Sequence, residues 1–258
     1  MVYWMNFCIT NENSVSMKWH IGCSGYHYRD WKEIFYPAGL PQKKWFEYYN
    51  SCFDTLELNV TFYRFPQLKF LQNWYAISSP GFIFTVKAPR LITHYKKFNN
   101  CEDLLKNFYD TVITGLNDKL GTVLFQFPPS FVYSSERLEL IVKNLSAEIK
   151  NVLEFRHTSW WTKDVFKQLQ KKKIIFSGIS HPKLPDKVII NNKIAYYRFH
   201  GVPDLYYSAY SHDQLQTIAD ALLNDKTVKE AYIYFNNTAT IGAIENAVWF
   251  KEYIYGKR

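Results

Sequence analysis

Eight short apolar runs alternate with segments of helical period, and this alternation constrains the chain more than any other feature. The runs span residues 19–23, 53–59, 82–87, 121–127, 151–155, 174–179, 194–200 and 231–235. Helical spacing is read at 41–51, 66–77, 100–114, 135–147, 163–172 and 211–224, and in a last segment ending near 255. Pro41 suits a first turn, Asn100 with Asp103 resembles a capping pair, and Ser211 with Gln214 forms a capping box. After the sixth run comes an irregular stretch with Pro182 and Pro185, in which 188–190 is read as a short extra strand. Strands that alternate with helices form a parallel sheet with helical crossovers. The chain has 258 residues, and a closed (β/α)8 barrel takes about 250. The expected fold is therefore α/β, a single (β/α)8 TIM barrel. An open doubly wound sheet is the alternative, but its G-x-G-x-x-G fingerprint is missing.

Composition removes several classes. Hydrophobic residues make up 47% and charged residues 21%, which excludes a disordered or low-complexity chain. No stretch approaches the ~18 apolar residues of a membrane span, so no membrane partner is expected. Cys8, Cys23, Cys52 and Cys101 are widely spaced without a C-x-x-C pair, which suits a reducing compartment. No signal peptide is read at the N-terminus, and a cytoplasmic location is expected. Lys and Arg exceed Asp and Glu by 31 − 23 = 8. That surplus favours anionic partners, a small molecule or nucleic acid, although its scatter along the chain also serves solubility. The longest basic run, Lys171-Lys172-Lys173, falls at an expected helix end, where cations favour the dipole.

In a barrel of this kind the active site lies at the C-terminal strand ends. The polar residues there are Glu57 and Asn59, Lys87 with Arg90 beyond it, Gln126, Glu154 and Arg156, Arg198 and His200, and Asn236 and Asn237. Glu57/Asn59, Glu154/Arg156 and Arg198/His200 have period two, so each pair faces one way. Glu57, Glu154, Lys87 and His200 are the candidate catalytic groups. Asn59, Tyr63, Arg90, Gln126, Arg156, Arg198, Asn236 and Asn237 are the candidate ligand-binding groups. The competing reading is an internal salt-bridge network of Glu57 and Glu154 with Lys87, Arg156 and Arg198. Loop aromatics Tyr26, Phe62, Tyr63, Trp160, Tyr206 and Tyr207 are read as stacking groups or as packing. His20 is read as a strand packing residue.

The same stretches carry a family resemblance. They are Ile21-Gly22-Cys23-Ser24-Gly25-Tyr26, Phe53-Asp54-Thr55-Leu56-Glu57-Leu58-Asn59 with Thr61-Phe62-Tyr63, and Val86-Lys87-Ala88-Pro89-Arg90 with Thr93-His94. Further on are Leu124-Phe125-Gln126-Phe127-Pro128-Pro129, Glu154-Phe155-Arg156-His157 with Ser159-Trp160, Tyr197-Arg198-Phe199-His200-Gly201, and Tyr234-Phe235-Asn236-Asn237. In these motifs the chain resembles the YecE-like family, known as domain of unknown function 72. The resemblance implies a TIM barrel distantly similar to the endonuclease-IV and xylose-isomerase barrels, and it implies no particular activity. Cys23 stands where the family more often has Thr, and Tyr26-His27 where an aromatic–Ser pair is common. The resemblance begins near Met17. Residues 1–16 are thus read as an N-terminal extension and 17–258 as the barrel domain, with Met17 a second candidate start.

The leading functional expectation is a cation-rich pocket for a phosphorylated or nucleic-acid-like ligand. Lys87, Arg156, Arg198 and His200 would contact the anion, and Glu57 or Glu154 would act as acid or base. Three alternatives follow from the same residues. A metal-dependent phosphodiester hydrolase is suggested by the distant barrels, but no metal-ligand set is predicted beyond a single divalent ion on Glu57 and Glu154. A glycoside hydrolase would use the same two glutamates. A non-catalytic nucleic-acid-binding protein would use the basic surplus and the aromatics. No cofactor is predicted. Lys87 also suits imine chemistry, because a lysine at a strand end can be desolvated and deprotonated.

Overall fold

The strands are all parallel and fall into two sheets. In the computed structural model, which describes residues 17–256, they are β1 (Lys18–Cys23), β2 (Thr55–Leu58), β3 (Ile83–Lys87), β4 (Leu120–Phe127), β5 (Asn151–Phe155), β6 (Ile175–Phe176), β7 (Gly178–Ser180), β8 (Ile194–Phe199) and β9 (Glu230–Phe235). One sheet runs β1-β9-β8-β7 and the other β2-β3-β4-β5-β6. A parallel bridge between Ser24 and Glu57 links β1 to β2. The sixth predicted strand is split at Ser177, its first part pairing with β5 and its second with β8. One continuous stretch of chain thus serves both sheets.

The helices are α1 (Trp45–Cys52), α2 (Val60–Tyr63), α3 (Leu68–Ile77), α4 (Glu102–Leu116), α5 (Ser135–Asn144), α6 (Lys163–Lys171), α7 (His212–Asn224) and α8 (Gly242–Gly256). Among the described residues no helix is long and apolar enough to cross a membrane. The Ser211–Gln214 capping box forms as the sequence predicts, and Lys171 and Lys172 end α6. Two local expectations are corrected. Asn100 does not cap α4: it has φ +47°, and Cys101 takes the cap position without a side-chain bond. Glu102 and Asp103 face the positive end of the helix instead. Residues 188–190 form no strand, because only Lys187 bridges, to Ile179. The short α2, unread in the sequence, is a single turn over the end of β3. The Thr61 hydroxyl lies 2.8 Å from the Leu58 carbonyl and 2.6 Å from that of Lys87. The 1–16 extension and the choice between Met1 and Met17 lie outside the described residues.

Strand alternation sorts side chains into two cores. Outward residues such as Phe125, Phe155, Phe199 and Phe235 pack against the helices. Inward residues Leu124, Val152, Ile175, Tyr196, Tyr232 and Tyr234 form a second, smaller core. Its polar atoms are paired: Tyr234 OH meets the hydroxyls of Thr55 at 2.6 Å and Thr85 at 3.0 Å. Gly121 sits where the β3–β4 register slips, and a Cβ there would come 2.4 Å from Ile83 Cγ2. At the N-terminal strand ends, His20 stacks on Tyr232 at 4.3 Å and bonds Glu230 at 3.0 Å, as a packing histidine should. Lys150 Nζ also reaches Glu230, at 2.7 Å. Cys23, Cys52 and Cys101 are free thiols.

Burial would raise the Glu230 carboxyl, but bonds from His20, Lys150 and Tyr232 overcome it and bring it down to about 2. Its folded value lies below its unfolded one. Its stabilisation is therefore present above about pH 4.5 and is lost as pH falls towards 2. Glu230→Gln is expected to cost about 2–3 kcal/mol at pH 7 in urea unfolding. The gap between the two proteins should narrow steadily below pH 4.5.

Candidate functional site

The inward face of the strands turns ionic at the C-terminal end. Tyr196, Arg198 and His200 follow one another at period two along β8 and beyond it, so the ladder passes from phenol to guanidinium to imidazole. Arg198 is fully buried. Its Nη2 donates to Glu57 Oε1 at 2.6 Å and its Nη1 to Glu154 Oε2 at 2.7 Å. Glu57 stands on β2 and Glu154 on β5, so one guanidinium joins residues of both sheets. Tyr196 OH donates to Glu57 Oε2 at 2.5 Å, and Arg156 Nε donates to Glu154 Oε1 at 2.6 Å. All four carboxylate oxygens are thus engaged. Burial would raise the Glu154 carboxyl, but Arg156, Arg198 and His200 hold it well below the usual range.

His200 Nε2 lies 3.1 Å from Arg156 Nη2 and 3.2 Å from Arg198 Nη1. The same Nε2 lies 3.5 Å from Glu154 Oε2. The Asn236 Nδ2 lies 2.8 Å from Nδ1 and donates to it, while Asn236 Oδ1 faces the Asn59 amide. Burial, then Arg156 and Arg198, push the imidazole well below its ordinary range, and it stays neutral. Asn59 continues the chain, 3.5 Å from Asn236 and 3.4 Å from the Ser24 carbonyl. Ser24 Oγ and Arg198 Nε are buried without a hydrogen-bond partner.

Lys87 differs from its neighbours. It is 8% exposed, and its Nζ lies 4.2 Å over the Phe62 ring. Among the described residues no hydrogen bond or ion pair reaches that nitrogen. Burial, then Arg198, lower its ammonium to about 7, against the pull of Glu154 and Glu57 and with a further push from Arg156.

Glu57, Glu154, Arg156, Arg198, His200, Asn236 and Asn59 are thus brought into one bonded set, with Lys87 beside it. Gln126 is on the same face, but its amide bonds the Phe127 carbonyl. Asn237 is turned away: it bonds the Ser208 carbonyl at 3.1 Å and Asn246 at 3.0 Å, and so anchors α8. Its neighbour Asn236 takes the inward position, so strand alternation separates the two. Arg90 and Tyr63 lie on the surface, the guanidinium 5.5 Å from the rings of Tyr63 and Tyr95. Trp160 is buried flat on Phe155 at 3.9 Å, which makes it packing. Tyr196 was missed, although its period-two step before Arg198 could have revealed it.

A groove of about 760 Å³ runs beside this set, between the loop after β1 and helices α2 and α3. Tyr26, Phe65, Phe70 and Trp74 make it largely apolar, and Asn59 and Tyr63 are the candidate residues that reach it. The groove flanks the ionic set and does not contain it.

This geometry narrows the chemistry. A divalent ion on Glu57 and Glu154 would need the space that the Arg198 guanidinium fills. A glycosidase acid needs a raised carboxyl, and Glu154 is held low. Arg198 is fully buried and spends its Nη atoms on Glu57, Glu154 and His200, so it serves the network first.

Arg198→Met leaves Glu57 without a cationic partner and Glu154 with Arg156 alone, and is expected to cost about 3–5 kcal/mol in urea unfolding. Adding Glu57→Gln should recover part of that loss, because one stranded charge is removed.

Comparison with known proteins agrees with the motifs. The profile described as "Protein of unknown function DUF72" matches residues 20–257. The UPF0759 protein YunF of Bacillus subtilis is 30% identical over 156 residues, which are 58% of this chain and 54% of that protein. The chain thus spans about half the length of that curated relative. A DUF72 family crystal structure from Thermotoga maritima is 30% identical with a TM-score of 0.84, covering 92% of this chain and 99% of that one. Another, from Enterococcus faecalis, is 18% identical with a TM-score of 0.77, covering 94% and 99%, and attests the shared fold. The chain belongs to the DUF72 family.

Proposed function

We propose that the C-terminal strand ends bind a small phosphate-bearing ligand, with Lys87 and Arg156 as its cationic contacts. The observation that carries this reading is the unpaired Lys87 amine beside a network in balance. Glu57 and Glu154 are offset by Arg156 and Arg198, His200 is neutral, and Lys87 alone has no counter-charge. An arriving anion supplies the missing partner. It would also raise the Lys87 pKa from about 7, so binding takes up a proton near neutral pH. Arg156 has Nη1 unengaged among the described residues, and Asn59 and Asn236 can orient the ligand.

The same reading takes the two sheets as one closed (β/α)8 barrel. The Ser24–Glu57 bridge at one seam and the split strand at the other support it. Closure would bring all the strand ends to one mouth, where the (β/α)8 architecture places its sites.

The test is a thermal-shift panel of inorganic phosphate, phosphorylated metabolites and short oligonucleotides at two salt concentrations. A ligand at 100 times its Kd adds about 2.7 kcal/mol and raises Tm measurably. The expected result is a shift from a small phosphate that is lost in Lys87→Met and reduced in Arg156→Ala. A shift confined to oligonucleotides and erased by salt would replace this reading with backbone binding of nucleic acid. No shift with any compound would leave the charges as an internal network.

A further inference from the structure

We propose that Lys87 is an imine-forming residue whose ε-amine condenses with the carbonyl of a small phosphorylated aldehyde or ketone. This rests on the anion-binding reading above and adds a covalent step to it.

The protein carries its own control for what a buried lysine looks like. Lys119 is also 8% exposed. Its Nζ donates to the Tyr75 carbonyl, the Ser78 carbonyl and Ser78 Oγ, each at 2.8 Å. Three acceptors satisfy three N–H groups, and the ammonium is held as a structural cation. Lys87 is as little exposed but lies deeper among other groups and has no acceptor; burial lowers both ammoniums, that of Lys87 further. A buried ammonium without acceptors is costly, whereas the neutral amine tolerates that setting.

The surroundings act in the same direction. Arg198 from β8 and Arg156 from β5 repel an ammonium at Lys87. Glu57 from β2 and Glu154 from β5 attract it, but their oxygens are already bonded to the two guanidiniums and Tyr196. His94 beyond β3 is also pushed down, by burial and then by Lys87 and Arg156, to about 4, so it adds no charge at neutral pH. The Phe62 ring under Nζ offers its face, a weak attraction to the ammonium but no hydrogen-bond acceptor. Around the site, Phe62 meets Tyr63 edge-on at 5.1 Å and His94 at 5.0 Å. Thr61 holds the Lys87 carbonyl, so the backbone at the root of the side chain is fixed.

The step balances without an oxidant or reductant. The Nζ lone pair attacks the carbonyl carbon, and the C=O π pair moves to oxygen. Proton transfer from nitrogen to that oxygen gives the carbinolamine. The oxygen then leaves as water with a further proton drawn from solvent, and the nitrogen lone pair closes the C=N bond. Amine, carbonyl compound and one proton become an iminium ion and water. The new positive charge is favoured by the phosphate of the substrate, which Arg156 anchors.

The experiment treats the full-length protein with glycolaldehyde phosphate and cyanoborohydride, then maps adducts by peptide mass spectrometry from pH 5.5 to 9. Reduction converts the iminium to a stable secondary amine. The expected result is labelling of Lys87 at pH 7 at least about 10-fold faster than of any other lysine, because surface amines remain protonated there. The rate should reach half its maximum above pH 7, because the phosphate of the substrate favours the ammonium that must first lose its proton, and it should fall when inorganic phosphate competes. Lys87→Arg should lose this adduct, and its circular dichroism spectrum and cooperative unfolding should match those of the parent, which shows that the variant folds. Labelling spread over surface lysines with Lys87 unreacted overturns the imine proposal. If the phosphate shift persists in that case, anion binding stands alone. Fast Lys87 labelling without phosphate competition or a phosphate shift keeps the amine chemistry and overturns the anion site.

Discussion

One guanidinium holds the C-terminal face together. Arg198 comes from the four-stranded sheet, and the two carboxylates it bonds come from the five-stranded sheet. Its bonds are short and its burial complete, so water cannot compete for any partner. Burying such a trio costs several kcal/mol per ion before the Coulomb gain returns it. An apolar substitute of equal volume could match its net stability, so stability alone does not explain it. What apolar packing cannot supply is direction. The trio fixes where Glu57, Glu154 and Arg156 stand, and so what surrounds His200.

That fixed frame makes Lys87 unusual. The carboxylates nearest to it are engaged, and the cations nearest to it repel it. The two buried lysines differ in depth and in acceptors: Lys119 donates to two carbonyls and a hydroxyl, while Lys87 lies deeper, over an aromatic face. At His200 burial, and then the two guanidiniums at one nitrogen, keep the imidazole uncharged. The cationic surplus inferred from a list of residues is therefore far smaller in space, and it comes down to one amine.

The surface beside the ionic set has a different character. The groove along α2 and α3 is apolar and meets the polar network at Asn59. Arg90 lies between Tyr63 and Tyr95 on the outside. Aromatics that looked alike in sequence divide accordingly. Trp160 and Phe62 are packing or flooring, and Tyr63, Tyr95 and Tyr207 are exposed.

Much of the frame was readable from residues alone. Apolar runs give strands, alternation with helices gives a parallel order, and period two put Glu154 with Arg156 and Arg198 with His200 on one face. These are local properties, set by backbone geometry and side-chain direction. Pairing across the molecule was not readable. Nothing near Arg198 in sequence says that its partners lie 141 and 44 positions away, or that Lys87 would be left out. The split at Ser177 and the failed cap at Asn100 also came from tertiary demands on the backbone. Sequence by itself determined which side chains reach the C-terminal face. Only the tertiary structure decided which charges cancel there, because Coulomb and hydrogen-bond energies depend on distances that the chain order does not contain.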